Sequence, residues 1–234
     1  SRNLNSNFRY YNVKILTPIL ALYFLVLFPT AHLAFPGNRF VYEFWHILYF
    51  SLVLTGVLAL KHISFQQLGF NKNNIGKSLA IGILFGALPV MAVALLDGLL
   101  VKAGLSESEL LAGANLRMPE EMGFNIFSTG NIFATLIIPF IDQVFVMGLI
   151  VNNLLIKGNK GNTGRVIISG GLLYPLFHFK PSIGNLVLGM LSAGFLKITG
   201  SIIAPILVHI GFAIAEILIV FNYPRLISIL VFFV

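Results

Sequence analysis

Apolar runs of about 20 residues recur along this chain, and they limit its fold more than any other feature. The hydrocarbon core of a bilayer is crossed by about 20 helical residues, and in lipid every backbone N–H and C=O must be satisfied within the protein. Runs of this length meet that demand as helices, whereas barrel strands would be short and alternating. Of 234 residues, 57% are hydrophobic and 10% charged, with a mean hydropathy of +0.92. A soluble domain carries about 25% charged residues, so a water-compatible surface is out of reach. The chain is an integral membrane protein. Cysteine is absent, which excludes disulfides and thiolate metal sites and leaves the redox compartment open.

Eight helical segments are expected, at Ile15–Phe35, Phe40–Leu60, Ser78–Val101, Ile132–Ile156, Val166–Phe179, Ile183–Leu196, Ser201–Phe221 and Leu226–Val234. The fifth and sixth are too short to cross unaided and are expected to pack inside the bundle. The fold class is therefore all-α, a polytopic transmembrane bundle of about eight helices, two of them short. Residues 1–130 form N-terminal helices and an interfacial loop, 131–222 a core, and 223–234 the start of a last hydrophobic segment. Ser106 followed by Glu109 fits a capping box that opens a short interfacial helix. The chain opens on Ser1, shows no cleavable signal, and is read as lacking its natural start. The net charge of +7 needs no nucleic acid, because Lys and Arg collect in cytoplasmic loops of membrane proteins. With alternating spans, the N-terminal side holds ten of the basic residues and the other side five. That bias predicts a cytoplasmic N-terminus.

Polar groups inside apolar runs are the informative minority, since a carboxylate near the bilayer centre costs several kcal/mol. Glu43 and His46 lie one turn apart beside Trp45 and suit headgroup-level anchoring. Asp97 and Lys102 flank the exit of the third segment, and Glu216 is expected to pair or snorkel. Asp142, Gln143, His178 and His209 lie within or at the ends of three separate segments. Asp142 and the two imidazoles are expected to face a common interior. They could hold a metal, since His nitrogen and carboxylate oxygen suit zinc. They could activate water, with Asp142 as general base. They could also be a hydrogen-bonded cluster that locks helices together.

The run Pro139-Phe140-Ile141-Asp142-Gln143-Val144-Phe145-Val146-Met147-Gly148 resembles the Pro-x-x-Glu-Glu-x-x-x-Arg-Gly motif of the CPBP intramembrane protease family, which includes the type II CAAX prenyl proteases. Tyr174-Pro175-Leu176-Phe177-His178 is similar to the family's Phe-x-x-x-His. The later Thr199-Gly200-Ser201 turn and the Ala204-Pro205 approach to His209 are similar to the family's Thr-Gly-Ser turn and Ala-Pro-x-x-x-His approach, and His209 stands at the histidine of its third motif, His-x-x-x-Asn. The resemblance covers roughly Ile132 to Ile217. It implies a compact helical bundle with the polar site inside, in which the first glutamate activates water for peptide hydrolysis and the histidines support it.

The departures all fall in the chemistry. Asp142 is one methylene shorter than glutamate and reaches about 1 Å less far, and a misplacement of that size can cost 100-fold. Gln143 cannot ionise. Met147 stands where the motif has arginine, and Ala213 where it has asparagine. The resemblance therefore implies a catalytically impaired member that serves as an accessory or scaffold subunit, with other membrane proteins and lipids as partners. The alternatives are an active endopeptidase using Asp142 with His178 and His209, and, more remotely, a transporter. No cofactor is expected, because Asp142, His178 and His209 alone make a poor zinc set once the carboxylate is shortened. Glycines 184, 189 and 194 form a small-residue strip that serves either internal packing or docking of a partner helix.

Overall fold

The computed structural model of the chain describes residues 16–36, 39–71, 74–104, 132–156, 162–178, 182–223 and 226, with the side chains of 39–44 and 221 outside it. The interfacial helix expected after Ser106 and the last segment beyond Leu226 lie outside the described residues. Within them the fold is all-α, with no strand. The helices are α1 Leu16–Ala34, α2 Arg39–Ala59, α3 Ile75–Lys102, α4 Phe133–Ile156, α5 Thr163–His178, α6 Ile183–Thr199 and α7 Ile203–Asn222. Four of these, α1, α3, α4 and α7, are long and apolar enough to cross a membrane. The 16 residues of α5 and 17 of α6 are the short pair expected from the sequence.

Burial ranks the helices. The apolar window of α4 is 61% buried, against 11% for α1 and 17% for α3, so α4 is the axis around which the others pack. Every residue from Asp142 to Asn153 is buried, which accounts for a run apolar on all faces instead of one stripe.

Small residues set the close crossings. Against α3, α7 approaches so tightly that a Cβ on Gly211 would collide with the Gly86 carbonyl, and one on Gly86 would lie 2.6 Å from the Leu207 oxygen. Against α5, a Cβ on Gly189 of α6 would lie 2.6 Å from the Tyr174 Cβ and 3.0 Å from the Gly170 oxygen. A Cβ on Gly194 would lie 3.4 Å from Ile167 of α5, and Gly184 is buried. The glycine strip of α6 is thus internal packing, which removes it as a docking face.

The loop between α2 and α3 is tied down by polar caps. Ser64 and Gln67 form a reciprocal capping box, the Ser64 N–H donating to Gln67 Oε1 at 2.7 Å and the Gln67 N–H to Ser64 Oγ at 3.3 Å. The Gln67 carbonyl accepts from Asn152 Nδ2 of α4 at 2.8 Å. On the far side of that loop the Gly69 carbonyl accepts from the Ile202 N–H at 2.9 Å, and Asn74 Nδ2 donates to the Thr199 carbonyl at 2.9 Å. The Thr199-Gly200-Ser201 turn ends α6 with Gly200 at φ +66°, a left-handed cap that glycine adopts without a Cβ penalty. These bonds satisfy backbone groups that lipid would leave unpaired.

Candidate functional site

The site is built on the middle of α4. Pro139 lacks an N–H, and the winding changes from π (Phe133–Ile137) to α (Ile138–Asp142) and back to π from Gln143 onward. Such local changes of winding occur often where a helix has to aim functional side chains. Gly148 has its own steric reason, since a Cβ there would lie 2.6 Å from the Leu68 carbonyl oxygen. The framing glycine of the motif is therefore required by the loop that crosses α4.

Asp142 is 2% exposed and its Oδ2 lies 3.0 Å from His178 Nε2. The Nδ1 of the same imidazole is 2.9 Å from the Tyr174 carbonyl. A carbonyl only accepts, so Nδ1 carries a proton and donates. The contact between Nε2 and the carboxylate then needs a second proton, shared between His178 and Asp142. The other oxygen, Oδ1, is buried with no hydrogen-bond partner among the described residues. Facing it at 3.9 Å is Nε2 of His46.

The neighbouring residue begins a second network. Gln143 is fully buried, and its Nε2 is 3.4 Å from His209 Nδ1. The Tyr174 hydroxyl lies 3.2 Å from the same nitrogen. Tyr174 joins the two networks, with its ring centroid 4.5 Å from that of His178 and 5.9 Å from that of His209. Asp142 thus meets His178 directly, while His209 is reached through Gln143 and Tyr174.

Two participants were not legible as such. His46, read as a headgroup-level partner of Glu43, turns inward onto Asp142 instead. Its ring stands 5.3 Å from that of His178 and 5.5 Å from that of Phe50. The usable signal was helical spacing, since His46, Tyr49 and Phe50 stand at i, i+3 and i+4 on one stripe, and the two aromatics are core. Tyr174, one turn before His178, carried the same kind of signal.

An aromatic wall closes the site. Phe50 stacks on Phe145 at 3.9 Å between centroids, and Tyr23 sits among Trp45, Tyr49, Phe50 and Phe177. The Tyr23 hydroxyl donates to the Phe177 carbonyl, one of the α5 end groups that lack an intrahelical donor. Met147 is fully buried in the same core, so the position of the motif's cation is filled by apolar packing. Ala213, one turn beyond His209, presents only a methyl group. Glu216 is exposed.

The polar groups can therefore lock α2, α4, α5 and α7 together, orient a base, or hold a cation between His46, Asp142 and His178. Residues 125–215 match the model of a family described as Type II CAAX prenyl endopeptidase Rce1-like. No curated protein and no solved structure matches the chain. The matched range contains Asp142, Gln143, Tyr174, His178 and His209 and leaves out His46. Together with the Pro139-to-Gly148 frame, that match supports a likeness of this stretch of the membrane protein to the CPBP/CAAX protease family.

Proposed function

We propose that this CAAX-protease-like membrane protein is catalytically impaired and works as an accessory or scaffold subunit of a membrane complex. The observation that carries this reading is the engagement of Gln143. It stands at the second glutamate of the motif, is fully buried, and has its amide turned to His209. An amide cannot serve as a base, and the histidine beside it is already held by the Tyr174 hydroxyl. The remaining carboxylate is the shorter Asp142, with one oxygen engaged by His178. The apolar Met147 removes a guanidinium and its five donors from the motif. What remains of the polar centre suits a lock between helices, each bond satisfying a group that is expensive to leave unpaired in lipid.

A docking role draws on the outer faces. Leu25 and Leu33 of α1 and Leu95 of α3 are 75%, 79% and 66% exposed, so large apolar side chains face whatever surrounds the bundle. The test reads two quantities in one experiment, substrate processing in cells and recovery of co-purifying membrane proteins. Asp142→Asn keeps the shape of the side chain and loses the base, so it leaves both unchanged. Ile83→Ala with Leu95→Ala, on the exposed face of α3, lowers recovery of partners at an unchanged protein level. Processing abolished in Asp142→Asn, with partners intact, would establish the alternative of an active endopeptidase. The observation favouring that alternative is the retained 3.0 Å contact between Asp142 and His178, the geometry of an oriented base.

A further inference from the structure

We infer that His46, Asp142 and His178 form a binding site for a divalent first-row transition metal ion, zinc being the natural occupant. One ligand atom from each residue lies within 4.8 Å of the others. The sequence suggested a different trio, with His209 as third ligand, and that set was poor. In the fold His209 belongs to Gln143 and Tyr174, and His46 from α2 takes its place.

Four features carry the inference. The donor set is two imidazole nitrogens and one carboxylate oxygen, the combination found in three-ligand zinc sites that leave a fourth position to water. Around a tetrahedral zinc the ligand atoms sit about 3.3 Å apart, from bond lengths of about 2.0–2.1 Å. His178 Nε2 lies 3.0 Å from Asp142 Oδ2 and His46 Nε2 lies 3.9 Å from Asp142 Oδ1, so each imidazole faces its own carboxylate oxygen, and small side-chain shifts would bring one oxygen and both nitrogens to that spacing. Next, Asp142 Oδ1 is buried with no hydrogen-bond partner among the described residues. A buried carboxylate oxygen with nothing to accept from is costly, and a cation beside it removes that cost.

The third feature is the support behind the ligands. His178 donates its Nδ1 proton to the Tyr174 carbonyl, the outer contact that fixes a metal-binding imidazole with Nε2 toward the ion. A metal at Nε2 replaces the second proton that the pair with Asp142 otherwise needs, and binding releases it. The fourth is shielding with access. Phe50 packs against the rings of both histidines, while the His46 and His178 side chains keep 14% and 11% exposure, enough for an ion to arrive. His46 lies outside the residues matched to the protease family, so the site belongs to this chain's own α2. It goes beyond the scaffold reading and would tie α2 to α4 and α5.

The test uses the full chain purified in detergent with its affinity tag removed. The protein is loaded with zinc chloride, desalted, and its metal measured by elemental analysis. About one zinc per chain is expected, with affinity weakened at least 10-fold in His46→Ala and in His178→Ala, and unchanged in His209→Ala. Cobalt loading should give the visible absorption bands of a tetrahedral ion, lost in the same variants. Helical circular dichroism and gel filtration establish that each variant is folded, and His46→Gln stands in if His46→Ala is not. Folded wild-type protein that takes up no stoichiometric zinc or cobalt overturns the inference. So does metal retained in both His46 variants, or lost as fully in His209→Ala.

Discussion

At the scale of single residues, the polar centre is held by bonds of very unequal worth. Removing the His178 imidazole leaves a buried carboxylate without its main partner, a change that costs about 3–5 kcal/mol. Removing the Tyr174 hydroxyl breaks a neutral contact of 3.2 Å to His209 and costs about 0.5–1.5 kcal/mol. Thermal unfolding in one detergent should therefore rank the two variants, with His178→Ala well below Tyr174→Phe and both below the wild type. Equal midpoints for His178→Ala and the wild type would mean that Asp142 is not held by this pair. Asp142, Gln143, His178 and His209 were legible in the sequence because a polar group in an apolar run has few bland explanations. His46 and Tyr174 were not, because the Trp45 neighbour of one and the motif position of the other offered a sufficient explanation without tertiary packing.

At the scale of helices, glycines separate tight crossings from open faces. In Gly189→Ala the new methyl group meets Tyr174 Cβ at 2.6 Å and the Gly170 carbonyl at 3.0 Å, so α5 and α6 must part. The expected cost is about 1–3 kcal/mol, typical of overpacking. Nothing lies within 4 Å of a Cβ at Gly98 in α3, and Gly98→Ala should be neutral or stabilising by about 0.5–1 kcal/mol through lower unfolded-chain entropy. Paired unfolding measurements check both signs, and a destabilised Gly98→Ala would mean that this face of α3 is covered. The helix positions were readable from apolar run length, with ends shifted by a few residues. The apolar run opens at Ser78, for example, but α3 begins at Ile75. Which glycines pack internally was not readable, because a small-residue strip has the same spacing whether it meets a neighbour in the chain or a partner outside it.

At the scale of the whole molecule, the bias of basic residues predicts a cytoplasmic N-terminus and α2–α3 loop. The chain has no cysteine, so single cysteines at Lys61 and Gly104 report topology against a silent background. A membrane-impermeant thiol reagent applied from outside should label Gly104→Cys and spare Lys61→Cys until the membrane is opened. The reverse pattern would invert the orientation. The claim on which the functional account turns is that the family's route of water activation is impaired in this fold. The most direct measurement is cleavage of a library of membrane-embedded peptides by the purified chain, with and without added zinc, run beside Asp142→Asn. The account expects no cleavage above that of the variant. Turnover that disappears in a folded Asp142→Asn would contradict it and make this protein a working intramembrane endopeptidase.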